Sequence, residues 1–389
     1  MSEGTDRRGR EYMLQARRLK WIAILGVGFL LWVHPVPSAV NEHNVVVYQV
    51  PGRYAAWPAN HGIWSWGNEI LVGFESGYFK RYTPNLHPID RVRPAEDLLA
   101  RSLDGGETWT TEKHPDLRPP EGTLEAGIPI EGGGKPDRDC PGGIDFSNPD
   151  FALTARYADK DIGPSRFYYS LNRGRNWEGP FKLPNFGQKG DMARTDYLVN
   201  GKHDLVLFLA ASKSNAKEGH VMAVETNDGA KTWHFVSFIG PEPPADDWAI
   251  TPSTVRLSAT AVLTAIRHVH WIEIWRSDDN LKTWHYVNTP AQQTGKGGNP
   301  PSMIRLRDGR MALTYGVRNP PYEIRARLSR DEGQTWGPEI ILRTGAANWD
   351  IGYTRTVQRP DGKIVTVYYW DESADKDGYI AAVIWDPGK

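Results

Sequence analysis

The stretch that decides the fold is Ser102–Trp109, SLDGGETW, which has the composition of a tight turn followed by a tryptophan. The same eight-residue frame, with a small hydroxyl residue first and tryptophan eighth, returns four more times: SLNRGRNW at 170–177, TNDGAKTW at 226–233, SDDNLKTW at 277–284 and SRDEGQTW at 329–336. The copies lie about 50 to 70 residues apart, a period typical of propellers and solenoids. The repeat therefore indicates one sheet-rich unit per copy.

The sequence between the copies indicates short strands. Around the fifth copy the order is PSMIRL, the turn RDG, RMALTYGV, IRARLS, the box itself and GPEIILR. Four strands per unit is the plan of a propeller blade, with the box between the third and fourth strands. In the box, glycine permits a tight backbone, the aspartate and serine cap local N–H groups, and the tryptophan packs between neighbouring sheets. We interpret the box as a structural corner without a catalytic role.

The two ends of the chain complete the count of blades. After the last box, YTRTVQR, KIVTVYYW and YIAAVIWD supply three strands, and NVVVYQV at 44–50 supplies a spare strand at the other end. Pairing the spare strand with the other three would close the ring and leave no open edge. The sequence predicts an all-β fold, a six-bladed β-propeller of four-stranded antiparallel blades with Asp-box turns, over residues 41–389.

Composition restricts the classes of partner. The net charge is -1, so neither nucleic acid nor an anionic membrane surface is expected as the main partner. Cys140 is the only cysteine, which excludes an intramolecular disulfide and a cysteine metal site. We expect a monomer that needs no metal or cofactor.

The N-terminal segment has the pattern of an export signal. Arg17, Arg18 and Lys20 precede an apolar run from Trp21 to Val33, which is short for a membrane span and typical of a signal peptide. Residues 1–40 are predicted to be a signal peptide or, alternatively, an uncleaved membrane anchor. Either way the propeller would be exported, to the periplasm or beyond the cell.

Strand alternation predicts which loops share a face. If the boxes lie at the bottom, the starts of the first strands and the loops between second and third strands lie at the top. Arginines and carboxylates from several blades fall there: Arg53, Arg194, Asp196, Arg267, Arg318, Arg325 and the loop 75–97. Arginines that converge on one pocket imply an anionic ligand held by bidentate hydrogen bonds. The alternative is that each arginine pairs with a local acid on a solvated rim.

The boxes and blades resemble those of the sialidase (neuraminidase) superfamily over nearly the whole mature chain. GRYAAWPANHGIWSWGNEILVGFE resembles the opening segment of the family and implies Arg53 as the first arginine of its triad. PSTVRLSATAVLTAIR implies Arg267 as the second. The fifth-blade segment carries the third, with Arg325 preferred and Arg318 as the competitor. GYTRTVQRPDGKIVTVYYW is similar to the segment that begins with the catalytic tyrosine, here Tyr353.

The resemblance implies a retaining hydrolase that removes a terminal sialic acid from glycans. A neutral tyrosine serves as nucleophile because the carboxylate of the substrate would repel an acidic one. The family's general acid lies in the first-blade loop, where Asp90 fits best and Asp97 second. Arg194 and Asp196 are expected to add contacts to the substrate.

One departure from the family pattern concerns the base that activates the tyrosine. The family usually has glutamate immediately before the fourth-blade PS, and this chain has Thr251. Threonine cannot act as that base, and four acids on neighbouring loops are the candidates to replace it: Asp247, Asp196, Glu372 and Glu75. The departure leaves two alternatives open, a glycosidase for another acidic sugar and a carbohydrate-binding propeller without turnover.

Overall fold

The computed structural model describes residues 42–81, 86–373 and 377–388. The predicted signal or anchor, residues 1–40, lies outside the described residues. No helix in the described part of the chain is both long and apolar enough to cross a bilayer.

The described strands form six blade sheets and one short hairpin. Strand β1 (His43–Tyr48) precedes the first blade, which contains β2 (Arg53–Ala56), α1 (Pro58–His61), β3 (Ile63–Trp66), β4 (Glu69–Tyr78), β5 (Glu96–Ser102) and β6 (Thr110–Glu112). A 3-10 turn at Pro115–Leu117 and the hairpin β7 (Leu124–Glu125) and β8 (Ile128–Pro129) lead to the second blade: β9 (Ala152–Tyr157), β10 (Ser165–Ser170) and β11 (Glu178–Lys182).

The remaining blades follow in chain order. The third contains β12 (Asp191–Met192), β13 (Tyr197–Val199), β14 (Leu205–Ser212), β15 (Glu218–Thr226) and β16 (His234–Phe238). The fourth contains β17 (Ile250–Arg256), β18 (Val262–Arg267), β19 (Ile272–Ser277) and β20 (His285–Ala291). The fifth contains β21 (Ser302–Arg305), β22 (Met311–Val317), β23 (Glu323–Ser329) and β24 (Ile340–Thr344), and the sixth β25 (Gly352–Gln358), β26 (Ile364–Trp370) and β27 (Tyr379–Trp385).

Each box forms the corner between the third and fourth strands of its blade, as predicted. In the first box, Asp104 accepts hydrogen bonds from the backbone N–H groups of Glu107 and Thr108 and from the Ser102 hydroxyl, at 3.1, 2.9 and 2.8 Å. The Ser102 hydroxyl in turn accepts the N–H of Gly106 at 2.7 Å. Gly106 has a φ of 94°, a left-handed conformation that glycine adopts without strain, and this allows the tight corner that these hydrogen bonds hold.

Six hydrophobic clusters fill the spaces between neighbouring blades. One lies between the sixth and first blades and the next between the first and second, and the series continues around the ring. The box tryptophans belong to these clusters: Trp109 packs with Val365 and Val367 of the preceding sixth blade, and Trp177 with Leu71 of the first. The tryptophan that ends each box therefore also packs its sheet against the previous one.

The ring closes between the two ends of the described chain. β1 pairs antiparallel with β27, with Val45 opposite Ala382, so the sixth sheet has the order β1-β27-β26-β25. This confirms the predicted closure by the spare N-terminal strand.

The second blade departs from the four-stranded plan. Its sheet has three strands in the order β11-β10-β9, and the innermost strand is missing. The segment that would form it contains Pro141 and Pro149 and ends in a turn in which Asn148 accepts the N–H of Asp150. Proline lacks the N–H that a ladder requires, which accounts for the irregular course.

Candidate functional site

A buried tyrosine and three arginines meet at the end of the propeller opposite the boxes. Tyr353 lies at the start of β25, Arg267 ends β18, and Arg318 follows β22. The Nη1 atom of Arg267 donates a hydrogen bond to the Tyr353 hydroxyl at 3.0 Å. The guanidinium carbons of Arg267 and Arg318 both lie 5.3 Å from the centre of the Tyr353 ring. Residues far apart in sequence therefore surround one phenol, as the alternation of strands predicts.

The backbone holds Tyr353 in an uncommon conformation. Its φ is 53°, in the left-handed region that few residues other than glycine adopt, so the position is strained. Asn299 stabilises it by accepting the Tyr353 N–H at 2.9 Å and by donating to the Ile351 carbonyl at 2.8 Å. Asn299 is fully buried at the start of the fifth blade. The side chain of Asn299 therefore fixes the position of the Tyr353 backbone, and with it the position of the phenol.

The arginines change the acidity of the phenol. Burial alone would raise the pKa of Tyr353, but the charges of Arg267, Arg318 and Arg194, with the hydrogen bond from Arg267, lower that pKa below its ordinary value. A lowered pKa favours the phenolate. At a given pH a larger share of Tyr353 is therefore phenolate, the nucleophilic form, than of a free tyrosine.

The three arginines differ in how their charge is balanced. Arg194 forms an ion pair with Glu218 and lies over the Tyr157 ring at 4.5 Å. Arg318 donates to the Tyr369 hydroxyl at 2.7 Å and has Asp350 at 3.9 Å.

Arg267 differs because its partners are neutral. Apart from Tyr353 it donates to the Gly297 carbonyl at 2.5 and 3.2 Å, and no carboxylate of the described residues pairs with it. Burial and the charges of Arg318 and Arg194 lower its pKa. A buried guanidinium without a counter-ion is unfavourable unless an anion is expected.

Two buried carboxyl groups share a cleft with Tyr353. The cleft has a volume of about 100 Å³, and Glu75, Glu125, Arg91 and Tyr157 line it together with the phenol. Burial, followed by the charge of Asp97, raises the pKa of Glu125 to about 8. Burial also raises the pKa of Glu75, with Asp97 and Glu125 adding to the effect. A carboxyl group with such a pKa keeps its proton near neutral pH and is suited to act as a general acid.

Glu125 was not among the residues that the sequence indicated. It lies on β7, in the long connection between the first and second blades. That connection belongs to no repeat, so no spacing indicates its position. The sequence offers one weak indication of its role: Glu125 is an acidic residue on a long connection, and the predicted topology allows that connection to reach the top face.

Several residues predicted for the site have other partners. Arg53 donates to the Ser76 carbonyl at 2.6 Å, pairs with Glu96 at 3.3 Å and lies over the Tyr78 ring. Arg325 is a central residue of β23 and forms ion pairs with Glu323 and Glu339, both at 2.5 Å. The partners of both therefore differ from Tyr353, and of the two fifth-blade arginines the structure brings Arg318 to the phenol.

Asp90 and Asp97 also have partners other than the phenol. Asp90 accepts the N–H of Val92 at 2.9 Å and has Lys80 at 3.5 Å. The hydrogen bond from Val92 and the charge of Lys80 lower the pKa of Asp90, so this carboxyl stays ionised. The side chain of Asp97 is buried and has Arg156 at 3.4 Å.

The acids considered as replacements for the base occupy four different environments. Asp247 accepts from His268 at 2.8 Å, Glu372 pairs with Arg343 at 3.1 Å, and Asp196 accepts from the Thr254 hydroxyl at 2.7 Å. Glu75 is the one that lines the cleft of Tyr353. Thr251 itself is buried with a φ of 49°, and its hydroxyl has no hydrogen-bond partner among the described residues.

The described residues contain no group of three histidine, cysteine or acidic side chains arranged to hold a metal ion. Trp57 also lines the cleft, and the centre of the Trp349 ring lies 5.1 Å from the Arg318 guanidinium. Aromatic faces therefore border the charged groups.

Comparison with known proteins agrees with this architecture. The family model described as BNR repeat-like domain matches residues 155–366. The chain belongs to this family. Its predicted membership of the sialidase and BNR-repeat propeller superfamily is confirmed. A search of curated protein sequences finds no match.

Solved structures show the same fold at low sequence identity. A protein of unknown function from Dyadobacter fermentans is 21% identical with a TM-score of 0.66, covering 88% of this chain and 97% of its own. The Trypanosoma rangeli sialidase in complex with sialic acid is 11% identical with a TM-score of 0.56, covering 89% of this chain and 59% of its own. The α-L-arabinofuranosidase of Fusarium graminearum, bound to an iminosugar inhibitor, is 13% identical with a TM-score of 0.56, covering 88% and 97%. At these identities the likeness concerns the fold of this BNR-repeat propeller.

Proposed function

We propose that the protein is a retaining, exo-acting glycoside hydrolase that removes a terminal carboxylated sugar, sialic acid in the first instance, from glycans. The observation that carries the proposal is the hydrogen bond from Arg267, a buried guanidinium with no carboxylate partner in the described part of the chain, to the hydroxyl of Tyr353. Such a guanidinium stabilises a substrate carboxylate and the phenolate beside it. The sialidase and arabinofuranosidase activities of the structural neighbours support a glycosidase.

Tyr353 attacks the anomeric carbon, and Arg267 and Arg318 orient the sugar carboxylate, with Arg194 adding positive potential. The lowered pKa of Tyr353 compensates for the absence of glutamate at position 251, because the arginines stabilise the phenolate directly. In this proposal Glu125, and not Asp90 as the sequence predicts, is the general acid. It donates its proton to the leaving oxygen and then accepts one from the water that cleaves the glycosyl-tyrosine.

The test is hydrolysis of an aryl α-sialoside by the purified protein, followed by NMR of the first anomer released. We expect the α-anomer, and we expect Tyr353→Phe to abolish turnover. Arg267→Ala should lower kcat/KM by about 30- to 5000-fold, because truncating a buried charge contact costs about 2–5 kcal/mol.

Arg325→Ala is the matched control, since that arginine pairs with Glu323 and Glu339 away from the phenol. It should leave kcat/KM within about twofold of the wild type, on the scale of 0.4 kcal/mol. A parallel panel of aryl uronosides covers other acidic sugars. Saturable binding of free sialic acid without turnover of any substrate would instead identify a carbohydrate-binding propeller.

A further inference from the structure

A second, larger cavity lies at the rim of the fourth blade. Its volume is about 640 Å³, within the range of small-molecule sites. One wall is the connection between the third and fourth blades, around the prolines of 241–244, and the other is formed by Trp271, Trp275 and Tyr286. We call this cavity the blade-four groove.

A single carboxylate holds both tryptophans of the groove. The two oxygens of Glu273 accept the indole N–H of Trp271 at 2.9 Å and that of Trp275 at 3.0 Å. His268 stacks on one face of the Trp271 ring, with centroids 4.9 Å apart and planes at 7°. The indole N–H groups are therefore already satisfied, and the rings are held as rigid platforms.

His268 completes this arrangement as a cation. Its Nδ1 atom is 2.8 Å from Asp247, and its Nε2 atom is 3.2 Å from Glu273. Burial opposes the charge, but the hydrogen bond to Asp247 and the neighbouring carboxylate of Glu273 raise the pKa of His268 to about 9. The tryptophan platform thus rests on a buried ionic network.

The charge of the groove differs from that of the arginine site. Its lining contains four acidic residues: Glu242, Asp246, Asp247 and Glu273. The protonated His268 partly balances their negative charge. Acidic side chains repel an anion and accept hydrogen bonds from hydroxyl groups. Aromatic platforms stack on the apolar faces of sugar rings. The combination fits a neutral, hydroxyl-rich ring.

Sequence adjacency connects the groove to the phenol. Arg267 ends β18 and bonds Tyr353, whereas the next residue, His268, lines the groove. Consecutive residues of an extended chain point to opposite sides. Arg267 faces Gly297, between the fourth and fifth blades, and His268 faces Asp247, between the third and fourth, so the groove and the arginine site lie on opposite sides of the end of β18.

We propose that the blade-four groove is a second carbohydrate subsite that stacks a neutral pyranose on Trp271 and Tyr286. If the proposed function holds, this pyranose belongs to the same glycan as the acidic sugar. Two clefts of opposite charge then recognise two parts of one glycan.

The test measures binding, which does not depend on turnover. Lactose, N-acetyllactosamine and cellobiose are titrated into the full protein by calorimetry and saturation-transfer NMR. We expect saturable binding of at least one of them, weakened at least about tenfold in Tyr286→Ala, which corresponds to roughly 1.4 kcal/mol of lost stacking.

Phe235→Ala is the matched control, because Phe235 is a similarly exposed aromatic, 42% against 50% for Tyr286, on the outer strand of the third blade and outside the groove. It should bind like the wild type. Failure of all three sugars to bind, or equal binding by the two variants, overturns the proposal. Binding of a neutral sugar by a protein that hydrolyses no sialoside would refute the proposed function alone.

Where turnover is found, kinetics add a second readout. With sialyl-lactose, Tyr286→Ala should raise KM and leave kcat unchanged, whereas with an aryl sialoside both constants should stay at the wild-type values. Equal effects on both substrates would contradict a role in binding the neutral sugar.

Discussion

At the scale of single residues, Glu125 and Asp90 differ in the state of their carboxyl groups. Asp90 is held ionised by the Val92 N–H and Lys80, whereas Glu125 is buried beside Tyr353 with a pKa of about 8. Glu125→Gln should therefore abolish hydrolysis of alkyl sialosides, which need a proton on the leaving oxygen. It should spare aryl sialosides with acidic leaving groups. The wild-type kcat/KM should fall as pH rises through about 8, and this decline should be absent in the variant.

Asp90→Asn is the control for that comparison. It should keep both the activity and the pH profile, because the partners of Asp90 are the Val92 N–H and Lys80 and not the phenol. If Asp90→Asn loses the alkyl activity and Glu125→Gln keeps it, Asp90 is the proton donor. Stability gives an independent readout: folding raises the pKa of Glu125 from 4.5 to about 8, so its stabilising contribution is complete below 4.5 and is lost as pH rises towards 8. The melting temperature of Glu125→Gln should depend less on pH across that window.

At the scale of structural elements, the box is the unit whose chemistry is most local. Asp104 accepts two backbone N–H groups and two hydroxyls, and these hydrogen bonds lower its pKa to about 2 against the opposing effect of desolvation. Asp104→Ala should lower the free energy of unfolding by about 1–3 kcal/mol, because the corner loses its acceptors. Chemical denaturation at neutral pH measures this.

Asp104→Asn is the matched variant, since the second box naturally has asparagine at the same place. There Asn172 accepts the Ser170 hydroxyl at 2.9 Å and the Asn176 N–H at 2.9 Å. The asparagine should therefore retain most of the stability that alanine loses. Equal losses in the two variants would show that charge, not hydrogen bonding, stabilises the corner.

The same locality explains what could be predicted from the sequence. Box corners and strand alternation depend on neighbouring residues, so the repeat predicts the blades, the ring and the face on which the site lies. The choice between Arg318 and Arg325 depends instead on where β22 ends, because Arg318 follows the strand and turns to the phenol whereas Arg325 lies within β23. Glu125 lies on a connection without any repeat. Such positions are determined by tertiary packing, and a single sequence contains no pattern for them.

At the scale of the whole molecule, the fold depends on a strand contributed from the other end of the chain. Val47 of β1 is 5% exposed and packs with Ile380 and Ile384 of β27 in the cluster between the sixth and first blades. Val46, its neighbour, is 52% exposed. The same substitution at these two neighbouring valines, one buried and one exposed, therefore tests whether the packing of β1 closes the ring.

Val47→Asp should destabilise the protein by about 3 kcal/mol or more, because it buries an unpaired carboxylate where β1 seals the ring. Val46→Asp should change stability by less than about 0.5 kcal/mol, as expected for a surface position. Thermal and denaturant unfolding measure both. Tyr353 lies at the start of β25, in the same sheet that β1 completes. Loss of the pairing between β1 and β27 should therefore also loosen the strand that holds the phenol next to Arg267. Activity of Val47→Asp should therefore fall at temperatures where Val46→Asp remains fully active, and parallel behaviour of the two variants would mean that the ring holds together without β1.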